Sequence, residues 1–274
     1  MREVDWSRMK AQELRELAAE DAVVILPIAA IEQHGPHLPV MTDTRIGYEV
    51  AMRAAQRAYA QRPTVVAPVV WSGLSEHHMA FGGTLTLSHA TFRAVVRDLV
   101  DAIIRAGFRD ILISNSHGGN IIAMQQILDE IAPQVDATLV ATTYAMEAAV
   151  EMAKPLEDQS GVMHAGEAET SMMLACEPDL VDTSDLAALR TDMEGGGPGF
   201  LKAGKNSYRW RPLAHATGNG VIGVPEKATA EKGEALLDIA AQALADIITD
   251  PASWAPADDL RGAGTGGVPF ADKD

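Results

Sequence analysis

Acidic and imidazole side chains cluster in the segment Ile31–Asp43, IEQHGPHLPVMTD, directly after an apolar run typical of a buried strand. In an extended chain Glu32 and His34 point to the same face, and the two prolines of the segment allow Asp43 to turn back towards them. Mixed imidazole and carboxylate ligands suit zinc, manganese or iron(II), and the two oxygens of an aspartate can bridge two ions. These residue types favour a metal site; the alternative is a histidine that caps a turn beside solvated acids.

A second polar cluster, WSGLSEHHMAFGGTLTLSH, extends from Trp71 to His89 after another predicted strand. Neighbouring residues of an extended chain face opposite ways, so at most one of His77 and His78 is expected to face a site. Ser75 and His78 are candidate substrate-binding residues, although an ordinary surface loop would explain the same composition.

The third cluster, ILISNSHGGN, ends a predicted strand at a histidine and two glycines. Glycine lets an ion or a substrate approach the backbone, and the helix that follows offers unpaired N–H groups. His117 is therefore a candidate metal ligand and Gly118 a candidate substrate contact. A tight turn without any chemistry is the alternative interpretation.

The fourth cluster, GVMHAGEAETSMMLA, begins a predicted helix. His164 and Glu167 are three residues apart, so both can face one side of the first helical turn. Glu169 lies on a different face, where metal ligation and a buried hydrogen-bond network both stay open to it.

The elements that must position these clusters alternate between apolar, β-branched runs and segments of helical period, which is typical of a mostly parallel sheet covered by helices. The predicted strands are Ala22–Ile28, Thr64–Val70, Asp110–Ser114 and Ala137–Thr143. The predicted helices are Lys10–Ala19, Thr44–Tyr59, Thr91–Arg105, Asn120–Ile131, Tyr144–Met152, Glu167–Ala175 and Ala228–Ile248. This pattern predicts an α/β fold with three layers.

Length and charge restrict the class of protein. A chain of 274 residues suits one large domain, here predicted over residues 1–250, with a loosely packed C-terminal arm over 251–274. A net charge of −16 argues against nucleic acid as a partner, because nucleic-acid affinity depends on clustered Lys and Arg. A charged N-terminus, a single cysteine (Cys176) and the lack of a long apolar segment favour a cytoplasmic protein without membrane contact.

Taken together, in this order and spacing, the four clusters resemble the creatininase family of metal-dependent amidohydrolases, from about Ala22 to Glu234. The family pattern is similar to Glu-x-His-Gly-x-His-Leu-Pro followed by Thr-Asp, then His-Gly-Gly-Asn, then His-Ala-Gly with Glu-Thr-Ser, and this sequence matches each part. A late segment, KATAEKGEALL from Lys227, is also similar. The resemblance implies an α/β domain, a homo-hexamer and two neighbouring divalent ions per chain, zinc or manganese, with iron(II) as a further option.

By the same resemblance, Glu32 and His34 would hold one ion each, Asp43 would bridge the two ions, and His117 would be a further ligand. Creatininase itself has a Glu ligand in its third cluster, where this chain has Gly118 and Gly119. We expect Glu167 to replace that ligand and to bind the same ion as His34.

A second departure concerns the substrate. Creatininase carries an acid before the histidine of its fourth cluster, and Met163 stands there in this chain. Met163 is therefore a further candidate substrate contact, and creatinine is expected to be a poor substrate. His164 is the candidate proton shuttle, because its ordinary pKa near 6.5 suits that task.

The resulting hypothesis is a hydrolase in which activated water attacks an amide or cyclic carbonyl carbon of a small molecule, by lactam opening, deformylation or cyclic keto-sugar opening. A non-catalytic, metal-stabilised oligomeric binding protein is the alternative, but structural zinc sites are usually rich in Cys. A serine hydrolase built on Ser116 and His117 ranks lower, because the sequence lacks a nucleophile elbow.

Overall fold

The computed structural model describes residues 2–191 and 209–257. Within them, four parallel strands form one sheet in the order β2-β1-β3-β4. The strands are β1 (Val23–Ile28), β2 (Thr64–Val66), β3 (Asp110–Asn115) and β4 (Thr138–Thr143). Strand order reverses direction between β1 and β3, and open α/β sheets bind ligands beyond the carboxyl ends of strands at such a point.

The longer helices lie where helical periodicity predicted them, with ends that differ by at most two residues. They are α1 (Ala11–Ala19), α2 (Thr42–Ala58), α3 (His89–Arg105), α4 (Ile121–Ile131), α7 (Glu167–Cys176) and α8 (Ala230–Thr249). The segment predicted as one helix after β4 is divided at Ala148 into α5 (Tyr144–Glu147) and α6 (Ala149–Ala153).

Two apolar cores lie on opposite faces of the sheet, since successive strand residues point to opposite sides. Val23 and Ile25 of β1 pack with α2, α7 and α8 on one face. Val24 and Leu26 pack with α3 and α4 on the other face. The predicted three-layer α/β architecture is confirmed.

The C-terminal arm differs from prediction at its start. Pro251–Trp254 form a 3-10 turn, and the buried Trp254 ring donates from its Nε1 to the carbonyl of Ile248 over 3.1 Å. Residues 258–274 of the predicted arm lie outside the described residues. Across the described ranges, no helix combines the length and apolar character that a membrane crossing requires.

Candidate metal centre

The loop after β1 and the first turn of α2 place the first group of candidate ligands. Glu32, His34 and Asp43 are all buried, with 4% or less of each exposed. His34 donates from Nδ1 to the carbonyl of Glu32 over 3.1 Å, which leaves its Nε2 lone pair towards Asp43. A second hydrogen bond, from the Ser116 hydroxyl to the Asp43 carbonyl over 2.9 Å, holds the first turn of α2 against the end of β3.

The end of β3 supplies His117. Its Nε2 lies 3.1 Å from the Leu74 carbonyl and 3.2 Å from the Ser75 hydroxyl. A carbonyl can only accept, so Nε2 carries a proton and Nδ1 is the nitrogen that can bind a metal. Ser75, a predicted substrate contact, is buried and helps to orient this histidine.

Two sets of potential ligand atoms meet at Asp43. In the first set, His117 Nδ1 lies 3.2 Å from Glu32 Oε2 and 3.1 Å from Asp43 Oδ2. In the second set, His34 Nε2 lies 3.3 Å from Asp43 Oδ1 and 3.5 Å from Glu169 Oε2. Ligand atoms of one tetrahedral zinc ion lie roughly 3.3–3.6 Å apart. Asp43 therefore turns one oxygen to each set, as a bridging carboxylate does.

The polar atoms of this cluster also fit a cation. Glu32 Oε2, His34 Nε2 and Asp43 Oδ2 are buried and accept or donate no hydrogen bond. Buried polar atoms are normally paired, because an unpaired one costs roughly 1–3 kcal/mol. Metal ligation would satisfy all three atoms at once.

The charges agree with that fit. Burial alone would lower the pKa of His34, but the Asp43 carboxylate, helped by Glu169, raises it to about 10. Burial likewise opposes ionisation of Glu32, yet His117 and His78 hold its pKa well below the ordinary value. The carboxylates therefore favour positive charge at His34 and His117, whose pKa values are both raised, and divalent ions could take the place of the protons.

The structure corrects the choice of Glu167 as the ligand beside His34. The Glu167 carboxylate forms an ion pair with the Lys232 ammonium over 2.7 Å and accepts the backbone N–H of Glu157 over 3.1 Å. Lys232 lies in the first turn of α8, so Glu167 joins α7 to α8 and faces away from His34.

Glu169 takes the position that Glu167 was expected to fill. Its Oε2 accepts the backbone N–H of Ala165 over 2.6 Å and faces His34. Burial raises the pKa of Glu169 to about 7. Residues 167–173 are buried on every side of α7, so helical phase could not show which acid faces the centre.

Two glycines follow His117, where creatininase was expected to have a ligand. A side chain at Gly119 would place its Cβ 2.2 Å from the Leu74 carbonyl oxygen and 2.4 Å from His117 Nε2. With this backbone, no other residue fits at that position. The space around Gly118 is open, which is compatible with its predicted contact to a substrate.

Three more imidazoles surround Glu32. His78 Nε2 lies 3.3 Å and His164 Nδ1 lies 3.5 Å from Glu32 Oε1. His77 groups with Glu32 and His117 within metal-ligand spacing. The expectation that at most one of His77 and His78 faces the site was wrong, because Glu76–Phe81 form a 3-10 helix that brings both rings inward.

His164, the predicted proton shuttle, is surrounded by other groups of the candidate centre. Burial lowers the pKa of His164 well below its ordinary value, and the nearby His34 adds to the decrease. Its ring lies 4.3 Å from that of His34 between centroids. A neutral imidazole is a poor proton carrier but a good hydrogen-bond donor. Met163 is half-buried beside it, at the edge of the candidate centre.

Several known proteins are similar to this chain in sequence. Residues 7–248 match a family model described as Creatininase: Creatinine amidohydrolase. A mycofactocin precursor peptide peptidase of Mycolicibacterium smegmatis is 30% identical, covering 88% of this chain and 89% of that protein. A creatinine amidohydrolase of Pseudomonas putida is 28% identical over 90% of this chain and 95% of its own length. A 3-dehydro-scyllo-inosose hydrolase of Thermotoga maritima is 28% identical, with coverages of 89% and 84%.

Solved structures show the same fold. A crystal structure of creatinine amidohydrolase (creatininase) superimposes with a TM-score of 0.73 at 27% identity, covering 94% of this chain and all of that one. A manganese form of creatininase superimposes with a TM-score of 0.72 at 26% identity, covering 90% of this chain and 98% of that one.

Proposed function

Because the chain belongs to the creatininase family, we propose that it is a hydrolase with two divalent ions per chain, zinc or manganese, with iron(II) as a further option. The observation that supports this proposal most directly is the position of Asp43, whose two carboxylate oxygens each face a separate set of ligand atoms. The proposed ligands are Glu32, Asp43 and His117 for one ion, and His34, Asp43 and Glu169 for the other.

Bound ions of this kind supply an activated water and polarise a carbonyl. The remaining steps belong to the chain itself. Hydrogen bonds from His117 Nε2 to the Leu74 carbonyl and the Ser75 hydroxyl keep His117 turned inward, and Ser116 holds the first turn of α2, with Asp43, in place. His164 presents a ring edge to the centre, where it can donate a hydrogen bond to the substrate. Burial of these side chains excludes bulk water and strengthens such contacts.

The proposed substrate is a small molecule with an amide or cyclic carbonyl group. The relatives act, by their names, on a precursor peptide, on creatinine and on a cyclic inosose. Creatinine is not the proposed substrate, because Met163 and Gly119 replace the acidic groups expected of creatininase. The proposed reaction classes stay lactam opening, deformylation and cyclic keto-sugar opening.

The binding-protein alternative finds less support. The candidate ligands of the described residues are carboxylates and imidazoles with open space next to Gly118, whereas structural zinc sites are closed by four protein ligands and rich in Cys. A cytoplasmic homo-hexamer remains part of the proposal by family resemblance. Sedimentation of the purified protein would test the hexamer.

The experiment combines metal analysis with a substrate screen. Purified protein should contain two divalent ions per chain and should convert at least one member of a panel of cyclic amides, formamides, short peptides and cyclic ketones, with products identified by mass. Creatinine should be turned over more slowly than the ordinary range of roughly 1–10³ per second.

Asp43→Ala should abolish turnover and lower the content of both ions, since one carboxylate serves both sets. Asp98→Ala, on the exposed face of α3, is the matched control and should change neither. An Asp43→Ala protein with two ions and full turnover would rule out this centre.

A further inference from the structure

The side-chain amide of Gln33 lies between two histidines of the centre. Its Nε2 is 2.8 Å from His78 Nδ1 and 3.0 Å from His164 Nε2. The side chain is buried, so water does not compete for these contacts. One amide therefore occupies one ring nitrogen of each histidine.

Two backbone groups determine which atom of the Gln33 amide is the oxygen and which is the nitrogen. The N–H of Gly35 can only donate, and it donates to Gln33 Oε1 over 2.9 Å. The carbonyl of Gly220 can only accept, and it lies 3.2 Å from Gln33 Nε2. Neither contact involves an imidazole, so the orientation of the amide does not depend on any assumed histidine tautomer. The NH₂ group must therefore face both rings, and since it has two hydrogens for three acceptors, the longest contact, to Gly220, shares a hydrogen with one of the rings.

The tautomers follow from that orientation. A ring nitrogen that accepts a hydrogen bond carries no proton, so the proton of neutral His78 lies on Nε2 and that of neutral His164 lies on Nδ1. These are the two nitrogens that face Glu32 Oε1, at 3.3 Å and 3.5 Å. We propose that Gln33 is a positioning residue that holds His78 and His164 as these tautomers, with both N–H groups directed at the centre.

This arrangement gives the two oxygens of the Glu32 carboxylate different neighbours. The two ring nitrogens that carry these protons lie within 3.5 Å of Oε1, while Oε2 faces His117 Nδ1 over 3.2 Å and has no hydrogen bond. Gln33 thereby keeps Oε2 as the oxygen available to an ion. It also prevents Nε2 of His164 from serving as a ligand.

For the reaction, the inference rests on the proposed hydrolase function and sharpens it. A neutral imidazole with its proton on Nδ1 can stabilise negative charge that develops on a substrate carbonyl oxygen, and the donor is oriented before the substrate arrives. His164 is then a hydrogen-bond donor to the substrate, and Gln33 acts on the reaction through it.

The test reads the tautomers directly. Zinc-loaded protein labelled with nitrogen-15 in its histidine rings is studied by two-bond proton–nitrogen correlation, with signals assigned through single His78→Gln and His164→Gln variants. The wild type should show the proton of His164 on Nδ1 and that of His78 on Nε2. Gln33→Glu has nearly the same shape but accepts where Gln33 donates, so both protons should move to the ring nitrogens that face residue 33. Gln125→Glu, on the exposed face of α4, adds the same charge and should leave the tautomers unchanged.

Kinetics on a substrate from the screen separate a positioning role from general damage. Gln33→Glu should lower kcat by about 10²–10³-fold, the usual loss of one oriented donor, and should leave KM within about threefold. A wild-type proton on Nε2 of His164, an Nδ1 of His164 bound to zinc, or unchanged tautomers in a folded Gln33→Glu protein would overturn the inference. If Gln33→Glu does not fold, the wild-type spectrum decides alone. If no substrate is found, the proposed function fails while the tautomer result still stands or falls separately.

Discussion

At the scale of single residues, two glutamates of α7 have opposite roles although they are two positions apart. Glu169 faces His34, and Glu167 is paired with Lys232. Glu169→Gln should remove the ion next to His34 and keep the ion between Glu32 and His117. Glu167→Gln is the matched variant and should keep both ions, but it should lower the free energy of unfolding by about 1–3 kcal/mol, because Lys232 loses a buried partner and keeps an exposed one.

Metal titration and chemical denaturation of the two variants measure these effects. Loss of one ion in Glu167→Gln with both ions kept in Glu169→Gln would reverse the assignment. Sequence patterns identified the groups around Asp43 because short spacings such as Glu-x-His limit where side chains can point. They could not choose between Glu167 and Glu169, since the choice depends on Lys232, which is 65 positions beyond Glu167 in the chain.

At the scale of elements, the strands were predicted well because buried parallel strands are continuous apolar runs. The exception is Thr64–Val70, which ends as a strand at Val66. Pro68 cannot donate to a neighbouring strand, and only Val70 rejoins the sheet through a single bridge to Ile28. Pro68 is visible in the sequence and could have predicted this break, whereas the return of Val70 to the sheet depends on strand neighbours that the sequence does not show.

The contact between α2 and the end of β3 supports a prediction about Gly47. A Cβ at this position would lie 2.6 Å from Ser116 Oγ and 2.8 Å from Ser116 Cβ. Gly47→Ala should therefore destabilise the protein by about 1–3 kcal/mol through overpacking, despite the better helix propensity of alanine. It should also weaken metal binding, because Asp43 lies in the same helix.

Denaturation and metal titration of Gly47→Ala provide the measurement. Adding Ser116→Gly removes the atoms that clash, so the double variant should recover part of the lost stability, and the recovery is read as a coupling energy. A Gly47→Ala protein more stable than the wild type would show that the two elements can separate without cost.

At the scale of the whole molecule, the imidazoles around the centre control the response to acid. Burial lowers the pKa of His37 and of His77 to about 4, and that of His78 to about 2. An unfolded histidine takes up its proton near pH 6.5. Between pH 6.5 and about 4 these three histidines therefore bind more protons in the unfolded chain than in the folded one, and their contribution to the free energy of unfolding falls as the pH decreases. Glu169, with its raised pKa of about 7, contributes with the opposite sign.

His37→Gln isolates one part of that dependence. His37 Nε2 lies 2.9 Å from the Thr170 hydroxyl, and the amide of glutamine can keep that contact. In chelator-treated protein, the free energy of unfolding of the variant should fall less steeply between pH 6.5 and 4 than that of the wild type. The two slopes should differ by up to about 1.4 kcal/mol per pH unit. Urea unfolding at several pH values gives both slopes, and equal slopes would show that His37 does not titrate as its burial indicates.

The burial of the ligand atoms also affects how fast an ion enters and leaves the centre. Glu32, His34, Asp43, His117 and Glu169 are each 7% exposed or less, so these side chains shield an ion held between them from bulk solvent. Entry and departure then require a brief local opening of the loops that follow β1 and β3. The residence time of a bound ion would be governed by how often those loops open, and two proteins with equal affinity for zinc could exchange it at very different rates.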